Sequence, residues 1–243
     1  MRKIVSALYL TAAPLCAGTW DAYAGTHFNY TQIDFDAPSS LQGYTGGADA
    51  GIGCKYGGFF SQIGFEGSWN AGPITGTPCQ RSSTTEYFLE WKLGWSISAW
   101  RRQLFIDPYT GFGWDRFYNT QDPAGADLAF RYDKLFVPVG LYLYWRFYDC
   151  TRLGVQFEYR PDVYAKLDLI GISLDAKGEE AYRVQIPLVL ESCCHRFNLS
   201  FVPFFDWSEY GRVEETNSAG ALLAIPELIK WEIGLRMILD LKY

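Results

Sequence analysis

The chain ends on a regular alternation. From Ile229 to Tyr243 the odd positions are Ile229, Trp231, Ile233, Leu235, Met237, Leu239, Leu241 and Tyr243. The even positions are Lys230, Glu232, Gly234, Arg236, Ile238, Asp240 and Lys242. Successive side chains of a strand point to opposite faces, so this segment has one apolar face and one mostly charged face. A helix would scatter the same residues around its surface. The pattern recurs. Tyr87, Leu89, Trp91, Leu93, Trp95 and Ile97 oppose Glu86, Glu90, Lys92, Ser96 and Ser98. Leu153, Val155, Phe157 and Tyr159 oppose Gln156, Glu158 and Arg160. Weaker versions run through Ile63–Trp69, Tyr182–Leu190 and Leu199–Trp207.

With further segments near 27–35, 44–56, 104–118 and 134–147, the alternation predicts ten strands, with eight or twelve as the neighbouring even counts. The first is the weakest, because Phe28, Tyr30, Ile33 and Phe35 change phase midway. The connections alternate in length. Long ones are expected near 36–43, 70–83, 119–133, 161–180 and 209–227. Short ones are expected at Gly57-Gly58 and near 99–103, 148–151 and 191–196. An even-stranded outer-membrane barrel has this parity, with short periplasmic turns and longer outer loops.

Alternation alone does not say which face is outside. A soluble barrel turns its apolar face inward; a membrane barrel turns it to lipid. Three features favour lipid. Trp69, Tyr87, Trp100, Trp145, Trp207, Trp231 and Tyr243 fall near strand ends, as interfacial girdles do. The apolar face is too bulky for a ten-stranded interior. The N-terminus reads as an export signal: Met1-Arg2-Lys3, an apolar stretch to Gly18, and Ala22-Tyr23-Ala24 as a cleavage site before Gly25. The expected organisation is a leader, 1–24, and one all-β domain, 25–243: an antiparallel up-and-down transmembrane barrel with periplasmic termini.

Composition adds little. Aromatics at 18% and 24 glycines suit strands and turns, and a net charge of −6 with no basic stripe excludes nucleic-acid binding. The charged face is more informative. Glu66, Glu86, Glu90, Lys92, Glu158, Arg160, Arg183, Lys230, Glu232, Arg236 and Asp240 are expected to line the lumen. Lipid offers these groups no partner, whereas an interior network satisfies them. Mixed charge, with Phe60, Phe88, Tyr142 and Tyr144 on the same face, favours a plugged barrel in a structural or surface role. A narrow channel for small polar solutes is the alternative. A second is adhesion through the acidic outer loops, whose apolar clusters (Leu167, Leu169, Ile170, Ile172; Leu222, Leu223, Ile225) either form a contact surface or pack over the lumen mouth.

Catalysis is not expected. The two histidines, His27 and His195, fall at the short-turn end on this topology, and no nucleophile, phosphate-loop or dinucleotide signature occurs. No cofactor or metal is expected, since Cys193-Cys194-His195 lacks the spacing of a zinc site. Once a leader containing Cys16 is removed, Cys54, Cys79, Cys150, Cys193 and Cys194 remain. An odd count in an oxidising compartment suggests a free thiol or a bond to a partner, with intramolecular pairing or inert thiols as the alternative; Cys54, Cys150, Cys193 and Cys194 fall near the periplasmic turns.

Short motifs carry a resemblance. Pro108-Tyr109-Thr110-Gly111-Phe112-Gly113 and Phe136-Val137-Pro138-Val139-Gly140-Leu141 resemble strands of the small outer-membrane β-barrel superfamily around OmpA-like and OmpW-like porin-fold proteins. Leu239, Leu241 and Tyr243 resemble the C-terminal signal read by the barrel-assembly machinery, although the usual glycine nearer the end is replaced by Ile238. The cysteine usage resembles the cross-linked envelope proteins of chlamydia-like bacteria. The resemblance implies outer-membrane lipid and the assembly machinery as partners, with other envelope proteins joined through disulfides.

Overall fold

A computed structural model describes residues 18–35, 40–70, 74–76, 80–101, 103–122, 128–169, 172–192, 196–211, 213–216, 222–225 and 227–243. Ten antiparallel strands pair with their sequence neighbours. They are β1 (Thr19–Phe35), β2 (Ser40–Tyr56), β3 (Phe59–Asn70), β4 (Gln80–Trp95, continued by Ile97–Ala99) and β5 (Leu104–Asp122). Next come β6 (Leu128–Phe136 and Val139–Tyr148), β7 (Thr151–Leu169), β8 (Glu180–Gln185 and Leu188–Glu191), β9 (Phe197–Tyr210) and β10 (Leu228–Lys242). β10 pairs with β1 from Asp21↔Lys242 to Phe35↔Leu228, which closes the sheet. Among the described residues this pairing closes the wall, so the strands find backbone partners on both sides, as lipid requires.

The outward face is apolar. On β10, Ile233, Leu235, Met237, Leu239 and Leu241 are 41–56% exposed, while Lys230 and Arg236 on the opposite face are buried. The same division holds on β7, where Leu153, Val155 and Phe157 face out and Gln156 and Glu158 are buried.

Two differences from the expected strands bear on the site. β1 starts at Thr19, so residues 19–24, read as the end of the leader, lie in the wall. Much of the expected long loops is strand: Asn119 pairs with Phe130, Leu167 with Leu174, and Asp34 with Ser40. β5 and β7 each reach 19 residues, about twice the 9–11 that a tilted strand needs to cross a bilayer. The surplus stands beyond the girdle at the long-loop end. A bulge between Asp162 and Tyr164 reverses the facing of β7 there, which turns Leu167 inward.

The glycines of the two sequence motifs have a packing role. A Cβ on Gly140 would lie 2.3 Å from the Tyr109 ring, and one on Gly113 would lie 2.1 Å from that of Phe136. Each glycine lets a lumen aromatic lie flat across the neighbouring strand.

Candidate functional site: a stratified lumen

The lumen is layered along the barrel axis. At the long-loop end, Ile33, Leu41, Phe117, Tyr132, Leu167, Leu174, Tyr210, Val213 and Leu228 form one apolar cluster, each no more than 3% exposed. The Tyr210 ring packs against Phe117 at 5.4 Å and Tyr132 at 5.1 Å. These residues come from seven of the ten strands, the short strand Ile172–Ala176 paired with β7, and the outer hairpin Val213–Thr216/Leu222–Ile225.

Beneath it lies a first charged belt. Lys230 Nζ donates to Glu86 at 2.5 Å and stands 3.4 Å from Glu232. Glu232 also accepts from Asn29 (2.9 Å) and Thr31 (2.8 Å). Lys134 pairs with Asp162 at 2.8 Å under the Tyr210 ring.

A second belt crosses the middle. His27 Nδ1 lies 3.0 Å from Asp49. Arg236 donates to Asp49 (3.2 Å) and Glu66 (2.7 Å). Arg183 bridges Glu66 (3.3 Å) and Asp206 (2.6 Å). Arg160 joins Asp206 to Glu158, and Lys92 reaches Glu158 (2.6 Å) and Glu90 (2.9 Å). The Tyr109 hydroxyl donates to Glu158 at 2.7 Å. The result is a continuous run of alternating charge from Asp49 to Glu90, with His27 bonded to its Asp49 end. The rings of Phe88 and Phe204 carry Arg183 and Arg236 on their faces, at 4.8 and 4.5 Å.

Below this belt the lumen opens. A cavity of about 640 Å³ runs from the short-turn end, past Trp20, Cys54, Tyr142 and Asp240, to a floor of Asp49, Glu66, Phe88, Glu90 and Lys92.

The eleven residues expected in the lumen thus divide among three levels. Glu66, Glu90, Lys92, Glu158, Arg160, Arg183 and Arg236 meet in the middle belt, Glu86, Lys230 and Glu232 in the upper belt, and Asp240 at the mouth. Sequence reasoning missed Asp49, Asp206, Lys134, Asp162 and Tyr109. It also misplaced His27. With β1 beginning at Thr19, His27 sits mid-strand in the belt, not at a strand end.

His27, Asp49 and Glu66 bring one ligand atom each within 4.8 Å of one another, the spacing of a metal site. They do not fit one. The Arg236 guanidinium bonds both carboxylates, so a cation already fills that position.

Among the cysteines, Cys54 is 4% exposed and faces the cavity, so its sulfur is not presented to a second protein. Cys150 lies in the turn between β6 and β7. Cys79, Cys193, Cys194 and His195 lie outside the described residues, as do the side chains of Leu222, Leu223 and Ile225. Leu239, Leu241 and Tyr243 are exposed, at 44%, 41% and 79%.

A closed ten-stranded barrel, apolar outside and ionic within, is an outer-membrane-type β-barrel. Comparison with solved structures agrees. The chain is similar to the outer membrane protease OmpT from Escherichia coli, with TM-score 0.62, 9% identity, and coverage of 93% of this chain and 97% of that one. It is also similar to the translocator domain of autotransporter NalP from Neisseria meningitidis, with TM-score 0.51, 8% identity, and coverage of 100% and 96%. No family model matches the chain. No curated protein matches it by sequence.

The first likeness corrects the expectation that the chain is not an enzyme. A barrel named as a protease has this architecture, and a closed barrel brings side chains from strands far apart in sequence together in its lumen, as with Arg236 and Asp49. The lack of a contiguous sequence motif therefore carries no weight against catalysis. The placement of His27, on which that expectation partly rested, is also revised.

Proposed function

We propose that this chain is an integral outer-membrane protein whose lumen is sealed by its own side chains, with a structural role in the envelope. The apolar cluster at the long-loop end carries the reading, because a conducting path would have to pass through it. The two ion-pair belts beneath support it: opening them would strand buried charge, at a cost of several kcal/mol per ion. A porin-like reading would need both layers to part.

Short turns and both strand termini at one end support an orientation with that end in the periplasm. Exposed Leu239, Leu241 and Tyr243 there support recognition by the barrel-assembly machinery. The Pro108–Gly113 and Phe136–Leu141 segments support kinship with the OmpA-like and OmpW-like barrels. An adhesive role finds less support, since Leu167 is buried in the cap and not displayed.

Liposome swelling tests the sealed lumen. Vesicles holding the purified barrel should swell in a small sugar no faster than empty vesicles, and swelling that scales with protein would refute the proposal.

A further inference from the structure

The open cavity is of a size to hold a ligand. At about 640 Å³ it falls within the roughly 300–1,000 Å³ of small-molecule pockets. It is blind, ending on the middle belt, and much of its wall is aromatic, including Tyr23, Phe60, Phe88, Tyr142 and Tyr144.

Its floor shows what charge it would take. Lys92, Arg183 and Arg236 all line it, but each is already bonded to two carboxylates: Glu90 and Glu158, Glu66 and Asp206, Asp49 and Glu66. None of these three has positive charge to spare for an anion, and the other cations of the lining, Lys55, Arg146, Arg152 and Lys242, stand away from this floor toward the short-turn end. The carboxylates are not all so well served. Glu158 shares Lys92 with Glu90 but also has Arg160 and the Tyr109 hydroxyl, and although its Oε1 too lacks a hydrogen-bond partner among the described residues, it does not line the cavity. Among the described residues Glu90 has Lys92 alone, through Oε2. It is 6% exposed and lines the cavity, and its Oε1, itself buried, has no hydrogen-bond partner among those residues. A buried carboxylate oxygen left unpaired is costly, and a charge-assisted donor would remove that cost.

We propose that this cavity binds a small organic cation, an ammonium group on an aromatic or aliphatic body, with Glu90 Oε1 receiving the charge and the tyrosine and phenylalanine walls holding the body. The ligand enters from the short-turn end, which the sealed-lumen reading assigns to the periplasm. The pocket needs only its open mouth, so conductance and binding are separate questions. An open lumen would refute the sealed barrel and leave this proposal standing.

The test is calorimetric titration of the purified, folded barrel in detergent at neutral pH. The probes are three bodies of similar size: phenethylamine as the cation, 2-phenylethanol as the neutral form and 3-phenylpropionate as the anion. Phenethylamine should bind saturably, and the other two on the order of tenfold more weakly or not at all. Glu90→Gln should weaken phenethylamine by on the order of tenfold or more. An independent readout uses the unaltered protein. Cys54 lines the same cavity, so phenethylamine should slow its alkylation by iodoacetamide, followed by mass spectrometry on the peptide that carries it. No saturable binding, equal binding of all three probes, or full affinity in a folded Glu90→Gln barrel would overturn the proposal. If that variant does not fold, an unchanged Cys54 alkylation rate would overturn it.

Discussion

Trp20 and Tyr243 exchange both of their backbone hydrogen bonds, at 3.3 Å and 2.9 Å. This pair is the last rung of the β1–β10 seam, the only place where the two ends of the chain must meet to make a barrel. Residues 19–24 supply the lower part of that seam, from Asp21↔Lys242 to Ala24↔Leu239.

Processing should therefore leave these residues in place. A leader removed before Gly25 would strip the final rungs from the seam and expose the Leu239–Tyr243 backbone in the membrane interface. The exported protein is predicted to begin at or before Thr19. Intact-mass measurement on protein from the outer membrane decides it, and a mass starting at Gly25 contradicts the seam.

The two faces of β10 should respond oppositely to charge. Leu235 faces out near mid-strand, so Leu235→Arg should cost about 2–4 kcal/mol in lipid, against about 0–1 kcal/mol for Leu241→Arg near the rim. Urea unfolding of the barrel in bilayers measures both. Equal costs at the two depths would count against the outward facing of this strand.

Removing one cation from the middle belt should be worse than its single charge suggests. Lys92→Met leaves Glu90 and Glu158 buried without their shared ammonium, a loss of about 3–5 kcal/mol. The same unfolding assay applies, and a loss below 1 kcal/mol by that scale would mean that the lumen is well hydrated at this level.

Beyond the girdle, Glu209 lies one step above outward-facing Trp207, beside Glu227. A hydrogen bond between the two carboxyls, with burial as the second cause, raises Glu209 from 4.5 to about 7. A carboxyl raised on folding stabilises fully below its unfolded pKa and loses that contribution as pH rises through the folded value. The long-loop rim should loosen as pH passes about 7, seen as a fall in thermal midpoint that Glu209→Gln largely removes. A pH profile identical in the two proteins would rule out this pair as the cause.

What the sequence revealed follows from how lipid and water write on a strand. Where a strand crosses lipid, as β10 does, one face is uniformly apolar and the period of two is plain. β1 shows why the signal fades above the membrane. Phe28 and Tyr30 face out, Tyr30 tilted against Trp231, but Ile33 turns inward to join the cap. Its apolar residues change phase because the apolar environment moves from outside the wall to inside it. On β7 the apolar residues keep their phase and the bulge after Asp162 reverses the facing instead, so Leu167 points inward although it shares the odd parity of outward Leu153 and Val155. The extensions of β5, β6 and β7 therefore read as loops. The belt was legible only as a face. Which charges pair is set by barrel closure, which brings Arg236 to Asp49 across 187 residues, and no local pattern encodes that.

Single-channel recording in planar bilayers tests the central claim most directly. A lumen capped by nine apolar side chains and crossed by two ion-pair belts should give no discrete openings in the wild-type barrel across the usual voltage range. Stable, repeated steps of uniform size from the purified protein would contradict it.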